Sequence, residues 1–118
     1  MEASLKGRVI LIAEDEALIA LDITLAFEDE GAWVIRARSL NEALLGIEDR
    51  ALSAAILDHA LSDSDSTKVC SRLKERNIPF ITYSGHDYPR GPCHGGVHVR
   101  KPANMSLLVT TVKGLLAK

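Results

Sequence analysis

At 118 residues, 47% apolar and 25% charged, the chain has the length and composition of one soluble globular domain, long enough to bury a core without metal or disulfide staples. Its 14 basic against 16 acidic residues leave a net charge of −2, which argues against a nucleic-acid or anionic-membrane binder. Two cysteines, Cys70 and Cys93, are too few and too far apart for a disulfide framework, and the apolar run from Val9 to Ala13 is far too short for a signal or membrane span, so a cytoplasmic location is expected.

Arg8 to Ala13 is a continuous aliphatic run, as expected of a strand buried on both faces. It ends in Glu14-Asp15-Glu16, and a helical stretch then runs to about Glu30, where Gly31 stops it. Trp33 to Ala37 reads as a second strand, with Trp33 taken as a packing residue. Ser39 with Glu42 three residues on is a capping box for a short helix to about Asp49. Ala54-Ala55-Ile56-Leu57 is a third buried strand, ending at Asp58. After the polar loop 62–66, Thr67 to Arg76 is predicted helical, with Cys70 as core packing. Pro79 to Tyr83 is a fourth strand ending at Ser84-Gly85, and Val97 to Val99 a fifth ending at Lys101-Pro102. The last helix runs from about Asn104 to Leu116, with Met105, Leu108, Val109, Val112, Leu115 and Leu116 at helical spacing. Strands alternating with helices imply an α/β domain with an open parallel sheet covered on both faces.

One stretch breaks the alternation. A helix belongs between the fourth and fifth strands, yet residues 86–97 hold Pro89, Gly91, Pro92, Gly95 and Gly96, which would penalise it by about 9 kcal/mol. The segment reads as an irregular, mobile loop with at most one turn.

Ligands of such a sheet sit beyond the carboxyl ends of its strands. Those ends present Glu14 and Asp15, then Asp58, Ser84 and Lys101. Two carboxylates about 5 Å apart repel by roughly 3 kcal/mol at an effective dielectric near 20, so a third calls for raised pKa values or a cation. Hard oxygen donors at a wet edge suit Mg²⁺. With a cation, an ammonium and a hydroxyl around an oxygen of Asp58, the set suits phosphoryl transfer to that carboxylate.

In the order and rough spacing of Glu14-Asp15, Asp58, Ser84-Gly85 and Lys101-Pro102, the chain resembles the receiver domain of two-component response regulators over essentially its whole length. The resemblance implies a flavodoxin-like, doubly wound five-stranded parallel sheet of order 2-1-3-4-5, with the fourth helix shortened or absent. It implies Asp58 as phosphoacceptor and Mg²⁺ held by Glu14, Asp15, Asp58 and the backbone carbonyl of Ala60. Lys101 would pair with the phosphoryl group and Ser84 would move to hydrogen-bond it. A sensor histidine kinase is the implied donor and a downstream protein or a phosphorelay the implied target, with a second copy of the chain as a further candidate partner. The domain would be an enzyme only in promoting its own phosphorylation and dephosphorylation. Taken as complete, the chain would be a stand-alone receiver; otherwise an output domain would follow Lys118.

Several positions depart from the family pattern. Ser62 and Ser66 stand where Pro and Gly are frequent, and the switch position three before the lysine is His98 instead of the usual Tyr or Phe. Pro79 to Gly85 looks like the PFxFATG-type segment of single-domain receivers with a degenerate fourth helix. His59 and His86 occupy positions that in the family tune phosphoryl lifetime. The alternative reading is a pseudo-receiver, an interaction module that is never phosphorylated, which His98 and the lost helix favour. A phosphohydrolase would need an acid where Ala60 stands, and a zinc site from Cys93, His94 and His98 lacks companion ligands. In the first helix Leu18, Leu21 and Leu25 form one stripe and Ile19, Ile23, Ala26 and Phe27 another. That wide apolar coverage predicts a deeply buried helix, with a docking face for the kinase's helical bundle as the alternative.

Overall fold

The computed structural model describes residues 4–58, 67–84, 93, 95–101 and 104–117. Five parallel strands, β1 (Val9–Ala13), β2 (Trp33–Ala37), β3 (Leu52–Asp58), β4 (Phe80–Ser84) and β5 (Val97–Arg100), form one sheet in the order β2-β1-β3-β4-β5. The helices among the described residues are α1 (Ala17–Glu28), α2 (Leu40–Ile47), α3 (Thr67–Glu75) and α4 (Met105–Leu116). This is the flavodoxin-like arrangement expected from the sequence, and the helix count fits a shortened fourth helix.

Strand alternation builds two cores. Leu11, Ala13, Ala55 and Leu57 point to the face covered by α2 and α3, while Ile10, Ile12, Ala54 and Ile56 point to the face covered by α1 and α4. Every one of these eight is buried, which is why β1 and β3 read as unbroken apolar runs.

The helix ends follow local chemistry. Ser39 Oγ accepts from the Glu42 N–H at 3.1 Å, and Glu42 Oε1 reaches back to the Arg38 N–H at 2.7 Å. Asn104 Oδ1 accepts from the Leu107 N–H at 2.8 Å and caps α4. At the end of α1, Gly31 takes φ +91°, and the N–H groups of Gly31 and Ala32 close on the carbonyls of Glu28 and Phe27. Regular helix therefore ends at Glu28, two residues before the sequence-based bound.

Three expectations need correction. Trp33 is 71% exposed on the edge strand β2 rather than packed. The α1 helix is not buried all round. Ala20, Ile23, Thr24 and Phe27 face the core, whereas Leu18 (78% exposed), Leu21 and Leu25 stand in solvent. Two apolar stripes need two partners, and the fold supplies only one of them. Cys70 and Cys93, distant in sequence, are joined in a disulfide with Cα atoms 5.0 Å apart. The doubly wound topology closes that gap, because α3 and the approach to β5 lie on the same sheet face. Bonded in this way, Cys93 is removed from the zinc set considered above.

The residues 85–92 that carry most of the expected irregular loop lie outside the described residues. Of that stretch, Cys93 sits in a single turn that the Gly96 N–H closes on the Cys93 carbonyl at 3.3 Å. Among the described residues no helix is long and apolar enough to cross a membrane.

Candidate phosphoacceptor site

The register brings the sequence-predicted residues to one edge. Ala13 pairs with Leu57, so the residues that follow them, Glu14 and Asp58, leave neighbouring strands side by side. Asp58 pairs with Tyr83, and Tyr83 with Val99; Ser84, the last residue of β4, pairs with Arg100, directly before Lys101.

Carboxylate oxygens of Glu14, Asp15 and Asp58 lie within 4.8 Å of one another. Glu14 and Asp58 are 3% and 5% exposed, while Asp15 is open to solvent. Glu14 Oε2 accepts the Glu16 N–H at 3.0 Å, so this carboxylate also ties down the first turn of α1. Its other oxygen, Oε1, is buried and accepts no hydrogen bond. Burial, and after it the neighbouring Asp58 carboxyl, push the Glu14 carboxyl up to about 7.

Lys101 enters from two strands away. Its Nζ donates to Asp58 Oδ1 at 3.1 Å and lies 5.1 Å from the centroid of the Tyr83 ring. Strands about 4.8 Å apart put roughly 10 Å between β5 and β3, so the lysine must cross β4, and the ring it crosses belongs to Tyr83. Tyr83 is the site residue that sequence reading missed. One residue before Ser84, it lies on the opposite face of β4 from Thr82, and only the strand pairing places it under the lysine.

His98 lies on that Thr82 face. Its Nδ1 is 3.2 Å from Thr82 Oγ1, which links β5 to β4 on the side covered by α2 and α3. Ser84 is placed by its backbone alone. Ala60, His59, His86, His94, Gly85 and Pro102 lie outside the described residues.

The donor set fits a hard divalent cation. A buried carboxylate oxygen without a donor, a second buried carboxylate and an exposed third match Mg²⁺, which takes few carboxylates and keeps several waters.

The chain matches no protein-family model. It is 28% identical over 115 residues to the response regulator RR06 of Streptococcus pneumoniae serotype 2 (strain D39 / NCTC 7466); the match covers 92% of the chain. The chain spans about half the length, 53%, of that curated relative. Among solved structures it is similar to a response regulator receiver protein from Sinorhizobium medicae WSM419, with TM-score 0.84, 27% identity, and 97% and 98% of the two chains covered. It is also similar to the Francisella response regulator 1452 receiver domain, with TM-score 0.80, 26% identity, and 93% and 97% covered. Sheet order and these likenesses agree: the chain has the fold of response-regulator receiver domains, with an acidic cluster at its strand ends.

Proposed function

We propose that this receiver takes a phosphoryl group on Asp58 from a sensor histidine kinase in the cytoplasm and passes the signal on by protein contact or by phosphorelay. The observation that carries the reading is the 3.1 Å contact of Lys101 Nζ with Asp58 Oδ1 inside a three-carboxylate cluster.

In the transfer, an Asp58 carboxylate oxygen attacks phosphorus. The new O–P bond forms as the N–P bond of a phosphohistidine breaks, and the imidazole nitrogen keeps the electron pair. Bound Mg²⁺ supplies positive charge that stabilises the phosphoryl oxygens, and Glu14, Asp15, Asp58 and the Ala60 carbonyl are the residues that would hold it. The Lys101 ammonium, aimed by Tyr83, turns from Asp58 to a phosphoryl oxygen as charge develops there. The Ser84 hydroxyl then donates to another of those oxygens. With His98 instead of Tyr or Phe at the switch position, the response of β5 is read through the Thr82–His98 link. The exposed Leu18, Leu21 and Leu25 stripe begins one turn from Asp15 and offers the kinase's helices an apolar face beside the site.

Intact mass after incubation with Mg²⁺ and acetyl phosphate tests the reading. One phosphoryl group should add to the wild type, and none to Asp58→Asn or when Mg²⁺ is omitted. Absence of an adduct, followed by unchanged amide chemical shifts near Ser84 on adding beryllofluoride, would instead establish the pseudo-receiver.

A further inference from the structure

We infer that Cys70 and Cys93 form a reversible dithiol–disulfide switch that fastens the approach to β5 onto α3 when oxidised and frees it when reduced. Cys70 lies within α3, completely buried among Val69, Leu73, Ile78 and Phe80. Cys93 is buried in the same apolar cluster, at 2% exposure. It sits in a turn outside the regular elements, closed by a 3.3 Å hydrogen bond and followed by exposed Gly95. The covalent bond therefore joins a helix to a turn outside the regular elements.

What it fastens matters for the site. The closed segment from Cys70 to Cys93 contains β4 with Ser84, and β5 begins four residues beyond Cys93 and delivers Lys101 to Asp58. The disulfide stands on the sheet face covered by α2 and α3, between α3 and β5. The functional weight of the switch rests on the phosphoacceptor reading, since a loosened β5 changes how Lys101 and Ser84 answer a phosphoryl group.

The chemistry favours reversibility. In a reducing cytoplasm, lasting disulfides are uncommon and those that occur are mostly redox-responsive. The two sulfurs sit in apolar surroundings, where free thiols pack as small hydrophobes. Local opening of the turn exposes Cys93 Sγ before Cys70 Sγ. A thiolate of a dithiol reductant attacks Cys93 Sγ, forming a mixed disulfide and releasing the Cys70 thiolate, which takes a proton. The reductant's second thiol then attacks the mixed disulfide, releasing Cys93 and leaving the reductant oxidised; two electrons and two protons have passed to the receiver.

The test uses the folded full chain without phosphate or metal, so that its failure is separate from any failure of Asp58 to accept phosphate. Iodoacetamide trapping after purification in air should give no adduct, and trapping after equilibration with dithiothreitol should give two, without unfolding by circular dichroism. Amide exchange at Val97–Arg100 should accelerate at least tenfold on reduction while β1 is unchanged, and Cys93→Ser should exchange at the reduced rate under both conditions. Should that variant fail to fold, Cys93→Ala replaces it, and the oxidised and reduced wild type still decide the matter. Two adducts without reductant, thiols released only on denaturation, or equal exchange rates in the two states would overturn the inference.

Discussion

The Lys101 ammonium lies over the Tyr83 ring, 5.1 Å from its centroid, and by that route reaches Asp58 at 3.1 Å. A lysine has several flexible bonds, and most surface ion pairs contribute little because both partners wander. Here the cation sits over a buried aromatic face that limits its rotamers before any substrate arrives.

Tyr83→Phe keeps that face and should phosphorylate at nearly the wild-type rate. Tyr83→Leu removes it at similar burial and should slow phosphorylation about fivefold, the equivalent of about 1 kcal/mol of lost cation–π positioning. Intact-mass time courses with acetyl phosphate read both rates. Equal rates for wild type and Tyr83→Leu would show that Asp58 alone aims the lysine.

The buried Glu14 carboxyl gives the metal-free domain a pH dependence of definite sign. An acid whose pKa rises on folding binds its proton more tightly in the native state, so stability is highest below the unfolded value and falls as pH climbs through the folded one. With the folded value at about 7, urea midpoints should drop from about pH 5 to about pH 8, a loss of about 2–3 kcal/mol. Glu14→Gln should flatten that slope. A metal-free wild type that gains stability across this range would contradict the assigned protonation.

Burial beside Glu14 makes the Asp58 carboxylate a stability liability. Asp58→Asn removes one of two buried neighbouring carboxylates and should raise the stability of the metal-free chain by about 1–2 kcal/mol, despite the loss of the Lys101 ion pair. Mg²⁺ should raise the melting temperature of the wild type and leave that of Asp58→Asn unchanged, as read by thermal melts with and without the cation. A less stable Asp58→Asn would mean that Lys101 outweighs Glu14 in this pocket.

Much of this site was legible before the fold was known because strand ends are read from chain order alone. Glu14, Asp15, Asp58, Ser84 and Lys101 each stand at or just beyond the end of a strand-like run, and a parallel sheet must bring those ends to one edge. Tyr83 was not legible as a site residue. Its role depends on which strand lies between β3 and β5, a matter of pairing and not of pattern. Trp33 and the outer α1 leucines were misjudged for one shared reason: hydrophobicity shows that a side chain gains from burial but not that the chain itself supplies the cover. The Cys70–Cys93 bond escaped because spacing along the chain says little about two residues on the same side of a sheet.

Gly96 is fixed by the aromatic ring beneath it. A Cβ at this position would come within 2.4 Å of Phe80 Cε2 and 2.7 Å of the Phe80 carbonyl oxygen, so the contact involves backbone as well as side chain. The ring cannot retreat freely, since Phe80 is buried among Cys70, Leu73 and Cys93. Gly96→Ala must therefore push the start of β5 outward, at a cost of about 1–3 kcal/mol. The displacement acts on the strand that carries Lys101, so the variant should lose phosphorylation rate as well as urea stability. Gly114→Ala, where the added Cβ meets nothing within 4 Å on α4, is the matched control. It should be neutral or slightly stabilising, because alanine favours the helix interior. Equal midpoints for the two variants would show that the approach to β5 yields without strain.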